Sequence, residues 1–372
     1  MPVPDQRDPE ITRAILQAWL ARQLPAADHV VIDAVQTPAS NGFSAETLMF
    51  EAGWHEPAGD RRERLVAKVA PTGFQIFPEP RFAEQFRLLQ ILAGTQIPVP
   101  AVHWQETAPD VLGAPFYVMS RIDGDVPTDM PPYHSGGWLT EVSPAERESI
   151  WWSGVTVLTQ VHALDVEGLG LGFVDQSGYG PTGLRQRLAY YEHYLDWAYE
   201  GSVPVAQAAL KWLREHRPAE AAAPILLWGD SRIGNIIFAG GQAAAVLDWE
   251  MATLGQPEED LAWFLLLDRH HSEGIGVPRL PGFPDARQTV ARYERLTGRT
   301  LTDMAYYEVL SAMKFAVVMA RIGQLFISYD LVPPDNDFPY NNTATQLLAK
   351  ILRLPPPGGE LTNPLAGLGE PE

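Results

Sequence analysis

The sequence predicts an α+β protein of two lobes, the first built on an antiparallel sheet and the second mainly helical. The 372 residues exceed what one compact core usually holds. Over residues 1–120, short apolar strands follow one another with one helix inserted between them, a pattern typical of an antiparallel meander. From Pro144 onward, apolar residues recur mainly at helical spacing. We therefore expect a bilobal protein.

The first lobe, residues 1–120, is expected to contain two helices and five strands. The helices are predicted over residues 9–23 and 80–93, and the strands over residues 30–35, 46–54, 64–70, 99–106 and 116–122. A stretch rich in proline and glycine follows, and residues 121–137 are interpreted as a hinge and linker.

The second lobe, residues 138–353, is expected to be helical around one short β-rich segment at residues 225–248. Helices are predicted over residues 144–163, 184–200, 204–214, 257–267, 285–297 and 304–329. Residues 354–372 are rich in proline and glycine and are interpreted as a loosely ordered tail.

Composition excludes several functional classes. The chain has no cysteine, which excludes disulfides, thiolate metal sites and thiol catalysis. A net charge of −19 argues against a nucleic-acid partner and is compatible with a cationic substrate, although acidic proteins are commonly just more soluble. Residues 1–10 lack an apolar signal core, and apolar runs such as residues 261–267 are too short to cross a bilayer. We expect a cytoplasmic protein without a membrane partner.

The β-rich segment carries the residues with the strongest chemical pattern. Asp230 and Asn235 lie five positions apart in a loop between apolar strands, and Asp248 follows the next strand. Kinase catalytic loops have this D-x-x-x-x-N spacing, with a metal-binding aspartate on the next hairpin. The pattern predicts Asp230 as the catalytic base, Asn235 and Asp248 as Mg²⁺ ligands, and Arg232 as a cation near the γ-phosphate.

At these residues the chain resembles a known family. Trp228-Gly-Asp-Ser-Arg-Ile-Gly-Asn235 and Leu247-Asp-Trp-Glu250 are similar to the H-G-D-x-x-x-x-N and D-[FW]-E motifs of aminoglycoside phosphotransferases. The similarity is closer still to the branch of that family fused to acyl-CoA dehydrogenases, and it covers residues 30–329. The resemblance implies a protein-kinase-like fold, ATP or GTP and Mg²⁺ as cofactors, and a hydroxyl group of a small molecule as the acceptor.

The resemblance also implies residues that bind the nucleotide. Lys68, alone in an apolar strand, would contact the α/β-phosphates, whereas its structural alternative is a lysine that protects a sheet edge from aggregation. A phosphate loop is expected at Ser40, Asn41, Gly42 and Ser44. Adenine is expected to bind backbone groups near Met119 and Arg121, where the last strand of the first lobe meets the linker.

Three departures from the family pattern stand out. Trp228 replaces the usual histidine, which is generally a scaffold residue, and the phosphate loop has a single glycine. The glutamate expected to pair with Lys68 falls at Gln85. The adjacent Glu84 is predicted to point away from the buried face of its helix, which is defined by Phe82, Phe86, Leu89 and Ala93.

Several other residues are interpreted as structural. His162 is expected to be a scaffold residue, and Asp260 either a charge at a helix N-terminus or a brace for the catalytic loop. His270 and His271 are expected at a solvated helix end. The aromatic residues Tyr190, Tyr191, Tyr194 and Trp197 are predicted to lie mostly in the core, with one or two touching substrate.

Three functions are compatible with these patterns. The first is an ATP- and Mg²⁺-dependent small-molecule kinase, and the second is a nucleotide-binding pseudokinase with a regulatory role. The third is a metal-dependent hydrolase that uses Asp230, Asp248, Glu250 and Asp260. The chain keeps both a base and metal ligands, and Lys68 has no role in a hydrolase, so the kinase is favoured. The acceptor and the oligomeric state are not specified by the sequence.

Overall fold

The computed structural model describes residues 7–37, 45–219 and 223–358. The chain divides into two compact units. Within the described residues, the first comprises residues 7–95 together with Val99–Ile122, and the second comprises Gln96–Pro98 and residues 123–358.

The first unit is an antiparallel sheet with two helices. Its helices are α1 (Pro9–Gln23) and α2 (Phe82–Leu92), and its strands are β1 (Asp28–Ile32), β2 (Glu46–Glu56), β3 (Gly59–Val69), β4 (Val102–Glu106) and β5 (Phe116–Ser120). The strand order is β1-β2-β3-β5-β4, and every neighbouring pair is antiparallel. The predicted sheet of five antiparallel strands is confirmed.

Helix α1 covers one face of this sheet. Asp8 caps its N-terminus by accepting from the backbone N–H groups of Glu10 and Ile11, as expected for an aspartate before a helix. Alternate residues of β2 are buried, which directs its apolar side chains to the same core as Trp19 of α1. The Trp19 indole N–H donates to Glu106 at 3.1 Å, so the one polar atom of this buried ring is satisfied.

Helix α2 differs from its prediction at the C-terminal end. It ends at Leu92, and Ala93 is exposed, so the assignment of Ala93 to the buried face is wrong. Leu88 and Leu92 are buried together with the predicted Phe86 and Leu89. Glu84 and Gln85 are both half-buried. Burial therefore does not separate these two candidates for the partner of Lys68.

The second unit is mainly helical. Its helices are α3 (Pro144–Val161), α4 (Leu184–Ala198), α5 (Pro204–Glu215), α6 (Pro257–His270), α7 (Ala286–Thr297), α8 (Met304–Ser328) and α9 (Thr343–Leu352). Its strands are β6 (Ile225–Leu227), β7 (Ile236–Ala239), β8 (Gln242–Val246) and β9 (Thr253–Gly255), paired antiparallel as β6 with β9 and β7 with β8. The six predicted helices are present, whereas α9 and β9 were not predicted.

Helix α8 is the long apolar helix of this unit and packs against α4, α5, α6 and α9. Its 25 residues are long and apolar enough to cross a membrane by length and composition alone. However, 67% of its most apolar window is buried inside the protein, as in a core helix of a soluble protein. The sequence-based statement that the apolar runs are too short to span a bilayer is therefore wrong for this helix.

Candidate active site

The loop after β6 turns sharply at Gly229. Its φ of +91° lies in a region that side chains disfavour, and a Cβ there would lie 2.1 Å from the Met251 carbonyl oxygen. Glycine is required for both reasons. The turn separates the buried Trp228 from Asp230, and a 3₁₀ turn at Ile233–Asn235 then leads into β7.

Three side chains hold the Asp230 carboxylate. The Trp263 indole N–H donates to Oδ1 at 2.8 Å, and Asn235 Nδ2 donates to Oδ2 at 2.6 Å. Arg232 Nε reaches Oδ2 at 3.3 Å. The Asp230 side chain nevertheless keeps 18% of its surface exposed. The carboxylate is thus fixed in orientation and still accessible to a small molecule.

Asn235 is oriented by the same loop. Its Nδ2 also donates to the Asp230 carbonyl at 3.1 Å, which directs the amide nitrogen towards Asp230 and leaves Oδ1 on the other side. The Asn235 carbonyl accepts the Leu247 N–H at 2.9 Å, linking the loop to the residue before Asp248. Asp248 has a φ of +52°, a strained conformation of the kind found at functional positions.

Trp228 also holds Leu247, the residue before Asp248. Its indole N–H donates to the Leu247 carbonyl at 2.8 Å, and the ring is fully buried. Leu247 is therefore held at its amide by Asn235 and at its carbonyl by Trp228. The tryptophan that stands in place of the family's usual histidine thus supplies, through its indole N–H, a hydrogen bond that positions the backbone next to Asp248.

Asp260, in the first turn of α6, holds the backbone of the loop that carries Asp230. Its carboxylate accepts the backbone N–H groups of Trp228 at 2.7 Å and Gly229 at 2.9 Å, and its carbonyl accepts the Ser231 hydroxyl. His162 Nε2 lies 3.0 Å from the same carboxylate, and its Nδ1 lies 2.6 Å from the Tyr293 hydroxyl. His162 is fully buried, which confirms its scaffold role.

Arg232 contacts a second aspartate, Asp129. The Arg232 guanidinium lies 2.5 Å from Asp129, and His271 Nε2 lies 3.1 Å from it. Desolvation by the neighbouring residues opposes ionisation of Asp129, whose side chain is 46% exposed, but the charge of Arg232 and hydrogen bonds from His271 and Arg232 hold its pKa well below the usual range. Burial alone would lower the Arg232 pKa, but Asp129 and Asp230 raise it.

The prediction that His270 and His271 lie at a solvated helix end is wrong. Helix α6 continues to His270, and both rings are buried. Burial, together with the neighbouring His271, lowers the pKa of His270 to about 3, so this ring is neutral. His271 is buried because its ring stacks on Tyr133 and binds Asp129, which is distant in sequence. The tyrosines at 190, 191 and 194 are buried as predicted, and Trp197 is half-buried.

Oxygen ligands for Mg²⁺ are available at Asn235 and Asp248. An amide oxygen and a carboxylate suit this hard cation, which usually keeps waters and substrate phosphate oxygens as further ligands. The described parts of the chain contain no group of three or more His, Asp or Glu side chains that could hold a metal. The hydrolase alternative also used Asp260, whose carboxylate accepts the backbone N–H groups of Trp228 and Gly229. The side-chain oxygens of Asn235 and Asp248 are of the kind that fits Mg²⁺.

Lys68, the main nucleotide candidate in the first unit, lies on β3 between β2 and β5. Because β3 is a central strand, the alternative role of protecting a sheet edge is wrong. Lys68 Nζ donates to the Thr47 hydroxyl at 3.3 Å. Ser40, Asn41, Gly42 and Ser44 lie outside the described residues.

The stretch predicted to bind adenine extends the sheet beyond β5. Met119 is buried within β5. The Ser120 N–H donates to the Ala101 carbonyl and the Arg121 N–H to the Arg64 carbonyl, both at 2.8 Å. These two amides are engaged, so base recognition here would use other backbone groups.

Sequence inspection missed the residues that contact Asp230 and Arg232 from other elements. Trp263 and Asp129 are far from the loop in sequence, and neither belongs to a short motif. One feature of the sequence could have indicated Trp263, because it lies in the first turns of α6 close to Asp260, a residue that the sequence patterns singled out.

A five-stranded antiparallel sheet unit, a helical unit and a D-x-x-x-x-N loop followed by a hairpin aspartate define a kinase-like protein. The sequence model of the phosphotransferase enzyme family matches residues 35–302, well over half of the chain. The chain belongs to this family.

Solved structures agree with this fold. A candidate aminoglycoside phosphotransferase from Ralstonia eutropha aligns with a TM-score of 0.65 at 24% identity, covering 91% of this chain and 95% of that one. A thermostable mutant of the aminoglycoside phosphotransferase APH(4)-Ia, in a ternary complex with ADP and hygromycin B, aligns with a TM-score of 0.57 at 13% identity, covering 91% and 98%. At these identities the similarity shows the fold alone.

The curated relatives are longer proteins. Acyl-CoA dehydrogenase family member 11 from Gallus gallus is 34% identical over 264 residues, which is 69% of this chain and 31% of the relative. The chain thus aligns with about a third of that relative, in agreement with the resemblance to the branch fused to acyl-CoA dehydrogenases.

Proposed function

We propose that this protein transfers the γ-phosphate of ATP or GTP, with Mg²⁺, to a hydroxyl group of a small molecule. The observation that carries the proposal is the Asp230 carboxylate, which is fixed by Trp263, Asn235 and Arg232 and is still partly exposed. Family membership and a solved neighbour that holds ADP and hygromycin B support the same reaction class.

Asp230 is the residue assigned to the acceptor hydroxyl. As the acceptor oxygen attacks the γ-phosphorus, the bond from that phosphorus to the leaving nucleoside diphosphate breaks, and the hydroxyl proton passes to Asp230. The transition state is loose, so the carboxylate contributes mainly by holding the hydroxyl in line. The hydrogen bonds from Trp263 and Asn235 supply that fixed orientation.

Arg232 is assigned to the transferred phosphoryl group. Its guanidinium already bridges Asp230 and Asp129, so it lies beside the proposed base and carries a permanent charge. Asn235 and Asp248 are assigned as the residues that would hold Mg²⁺, and the ion would neutralise the negative charge that develops on the phosphates during transfer. Lys68 is assigned to the α/β-phosphates, with Gln85 near it. The loop at Ser40, Asn41, Gly42 and Ser44 and the stretch at Met119 and Arg121 complete the assigned nucleotide contacts.

Replacement of Asp230 tests this proposal most directly. Asp230→Asn keeps the shape but removes the proton acceptor, so kcat should fall by about 10²–10⁴ while ATP affinity changes by less than about threefold. A screen of ATP consumption across hydroxyl compounds first supplies an acceptor, and initial rates with isothermal titration calorimetry then measure both quantities.

Asp335→Asn is the matched control, because Asp335 is exposed in the loop before α9. That variant should turn over at the wild-type rate. Wild-type turnover by Asp230→Asn would refute the role of Asp230. If Mg·ATP binds and no hydroxyl compound is ever phosphorylated, the protein is instead a nucleotide-binding pseudokinase, the alternative favoured by the single glycine of the phosphate loop and by Gln85.

The metal assignment has a separate test. Asp248→Ala should abolish the Mg²⁺ dependence of nucleotide binding, because the carboxylate is the one charged protein ligand in the assigned pair. Calorimetric titration of ATP with and without Mg²⁺ measures this. Unchanged Mg·ATP affinity in the variant would remove Asp248 from the site.

A further inference from the structure

A buried lysine with an unusual environment lies in the helical unit. Lys314 is on the apolar helix α8 and is only 5% exposed. Burying an ammonium group is unfavourable unless an acceptor or an opposite charge compensates it. Within the described residues, Lys314 has no hydrogen bond and no ion pair, and its ammonium is not sealed from solvent.

The groups around the ammonium are aromatic rings. Nζ lies 4.9 Å from the centre of the Trp263 ring and 5.6 Å from that of Tyr191. Cation–π contacts of this kind are worth about 0.5–2 kcal/mol each, less than the full hydration of an ammonium ion. Trp263 is also the residue whose indole N–H holds Asp230. Lys314 is therefore connected to the proposed base through one side chain.

The carboxylates that interact electrostatically with Lys314 already form hydrogen bonds or ion pairs with other residues. Glu259 forms a buried ion pair with Arg187 at 2.9 Å, and Asp260 accepts the amides of the catalytic loop. Asp230 accepts from Trp263, Asn235 and Arg232. The neighbourhood thus contains negative charge, but none of it is directed at the Lys314 ammonium.

Burial lowers the pKa of Lys314 to about 8, and the charge of Arg187 lowers it further, against the attraction of Glu259 and the weaker attraction of Asp260 and Asp230. Tyr191 stays a neutral phenol, since burial first and then the neighbouring Tyr190 raise its pKa well above the ordinary value. The ammonium would be stabilised by an anion that arrives from solvent.

We infer that Lys314 binds an anionic group, a carboxylate or a phosphate, on the acceptor molecule whose hydroxyl is presented to Asp230. This inference rests on the proposed function, because it assigns the substrate class of the same site. It places the acceptor among acidic hydroxyl compounds, in contrast to the cationic substrate that the net charge of the chain is compatible with. Lys314 would bind substrate and would leave the chemical step to Asp230.

The inference can be tested on the ammonium itself. The chain has four lysines, Lys68, Lys211, Lys314 and Lys350, so ¹³Cε-labelled lysine gives four resonances that single substitutions assign. The probes are 3-hydroxybutyrate and glycerol 3-phosphate, each with a neutral counterpart, 1,3-butanediol and glycerol. At least one acid should shift the Lys314 resonance at millimolar concentration, its neutral counterpart should not, and the exposed Lys211 should not respond.

The pH dependence of this shift has a defined sign. An anion binds the charged ammonium, so a bound acid should raise the pKa of Lys314, and acid affinity should be lost as pH rises through about 8. Comparison of the two acids distinguishes a carboxylate from a phosphate ligand. No shift with either acid up to about 100 mM, far above millimolar affinity, or an equal shift with the neutral compounds, would overturn the inference.

Variants separate this role from a structural one. Lys314→Met should weaken binding of the responding acid at least tenfold and raise Tm, because it removes a desolvated charge. Lys314→Arg should retain acid binding within a few fold. Lys211→Met is the matched control and should change neither. A Tm for Lys314→Met well below that of the wild type would show that the ammonium supports the fold, and would count against a substrate role.

The proposed reaction and the anion site can fail separately. Asp230→Asn should keep the acid-dependent shift of Lys314 while losing turnover. If no hydroxyl compound is phosphorylated but the shift is present, the kinase proposal fails and the anion site remains. If neutral alcohols are phosphorylated as well as acids and Lys314 does not respond, the kinase proposal stands and the anion site fails.

Discussion

Asp230 and Asp260 are carboxylates of two segments in contact, the loop after β6 and the start of α6, and their surroundings differ. Asp260 is 1% exposed and accepts two backbone amides as well as contacting His162. Asp230 is held by three side chains and keeps 18% of its surface exposed. A buried carboxylate that accepts backbone N–H groups fixes the conformation of the chain. A carboxylate that is oriented by side chains and is partly exposed can still contact a ligand.

The largest effect on stability is expected at Asp260. Asp260→Asn replaces a charge-assisted acceptor of two amides with a neutral group that also presents N–H groups to them. Each such hydrogen bond contributes about 1.5–3 kcal/mol, so unfolding should become easier by roughly 3 kcal/mol or more. Urea denaturation of the variant and the wild type measures the difference. A midpoint close to the wild type would show that Asp260 does not brace the loop.

A smaller loss is expected at Trp228. Trp228→Phe keeps a buried six-membered ring but removes the fused five-membered ring and leaves the Leu247 carbonyl without the indole N–H, which should lower stability by about 1–3 kcal/mol. The backbone next to Asp248 also loses one of its two anchors, so the Mg²⁺ concentration for half-maximal nucleotide binding should rise. Trp152→Phe is the matched control, because its indole N–H donates to an exposed glutamate of the same helix. Equal behaviour of the two variants would contradict the role of Trp228.

The smallest stability effect is expected at Asp230 itself. Because its carboxylate is partly exposed and binds only side chains, Asp230→Asn should change the free energy of unfolding by no more than about 1 kcal/mol. The same urea experiment checks this value. A loss as large as that of Asp260→Asn would mean that both carboxylates stabilise the fold to the same extent, which would contradict the difference proposed between them.

Sequence patterns predicted the parts of the structure that local chemistry determines. The five strands, the helix beginning at Pro9 and the loop from Asp230 to Asn235 follow from alternation, helical spacing and one motif. Strand β9, with three residues, is too short to show alternation. Helix α9 had a usable signal, since Asn342 and Thr345 form a capping box at its start.

The remaining differences depend on residues far apart in the chain. His271 is buried because it binds Asp129, and Trp263 meets Asp230 across 33 positions. Neither contact leaves a local pattern. Lys314 was detectable in principle, since it is one of only two basic residues in the otherwise apolar stretch of α8, with Arg321 as the other.

The hydrogen bonds of Asp260 also join two segments that are distant in sequence. The amides of Trp228 and Gly229 find their acceptor about 30 residues later in the chain, on α6. A chain that ended before α6 would lack this acceptor, so the loop that carries Asp230 depends on a segment made after it. Closing that length of chain adds an entropic cost to the ordering of the loop.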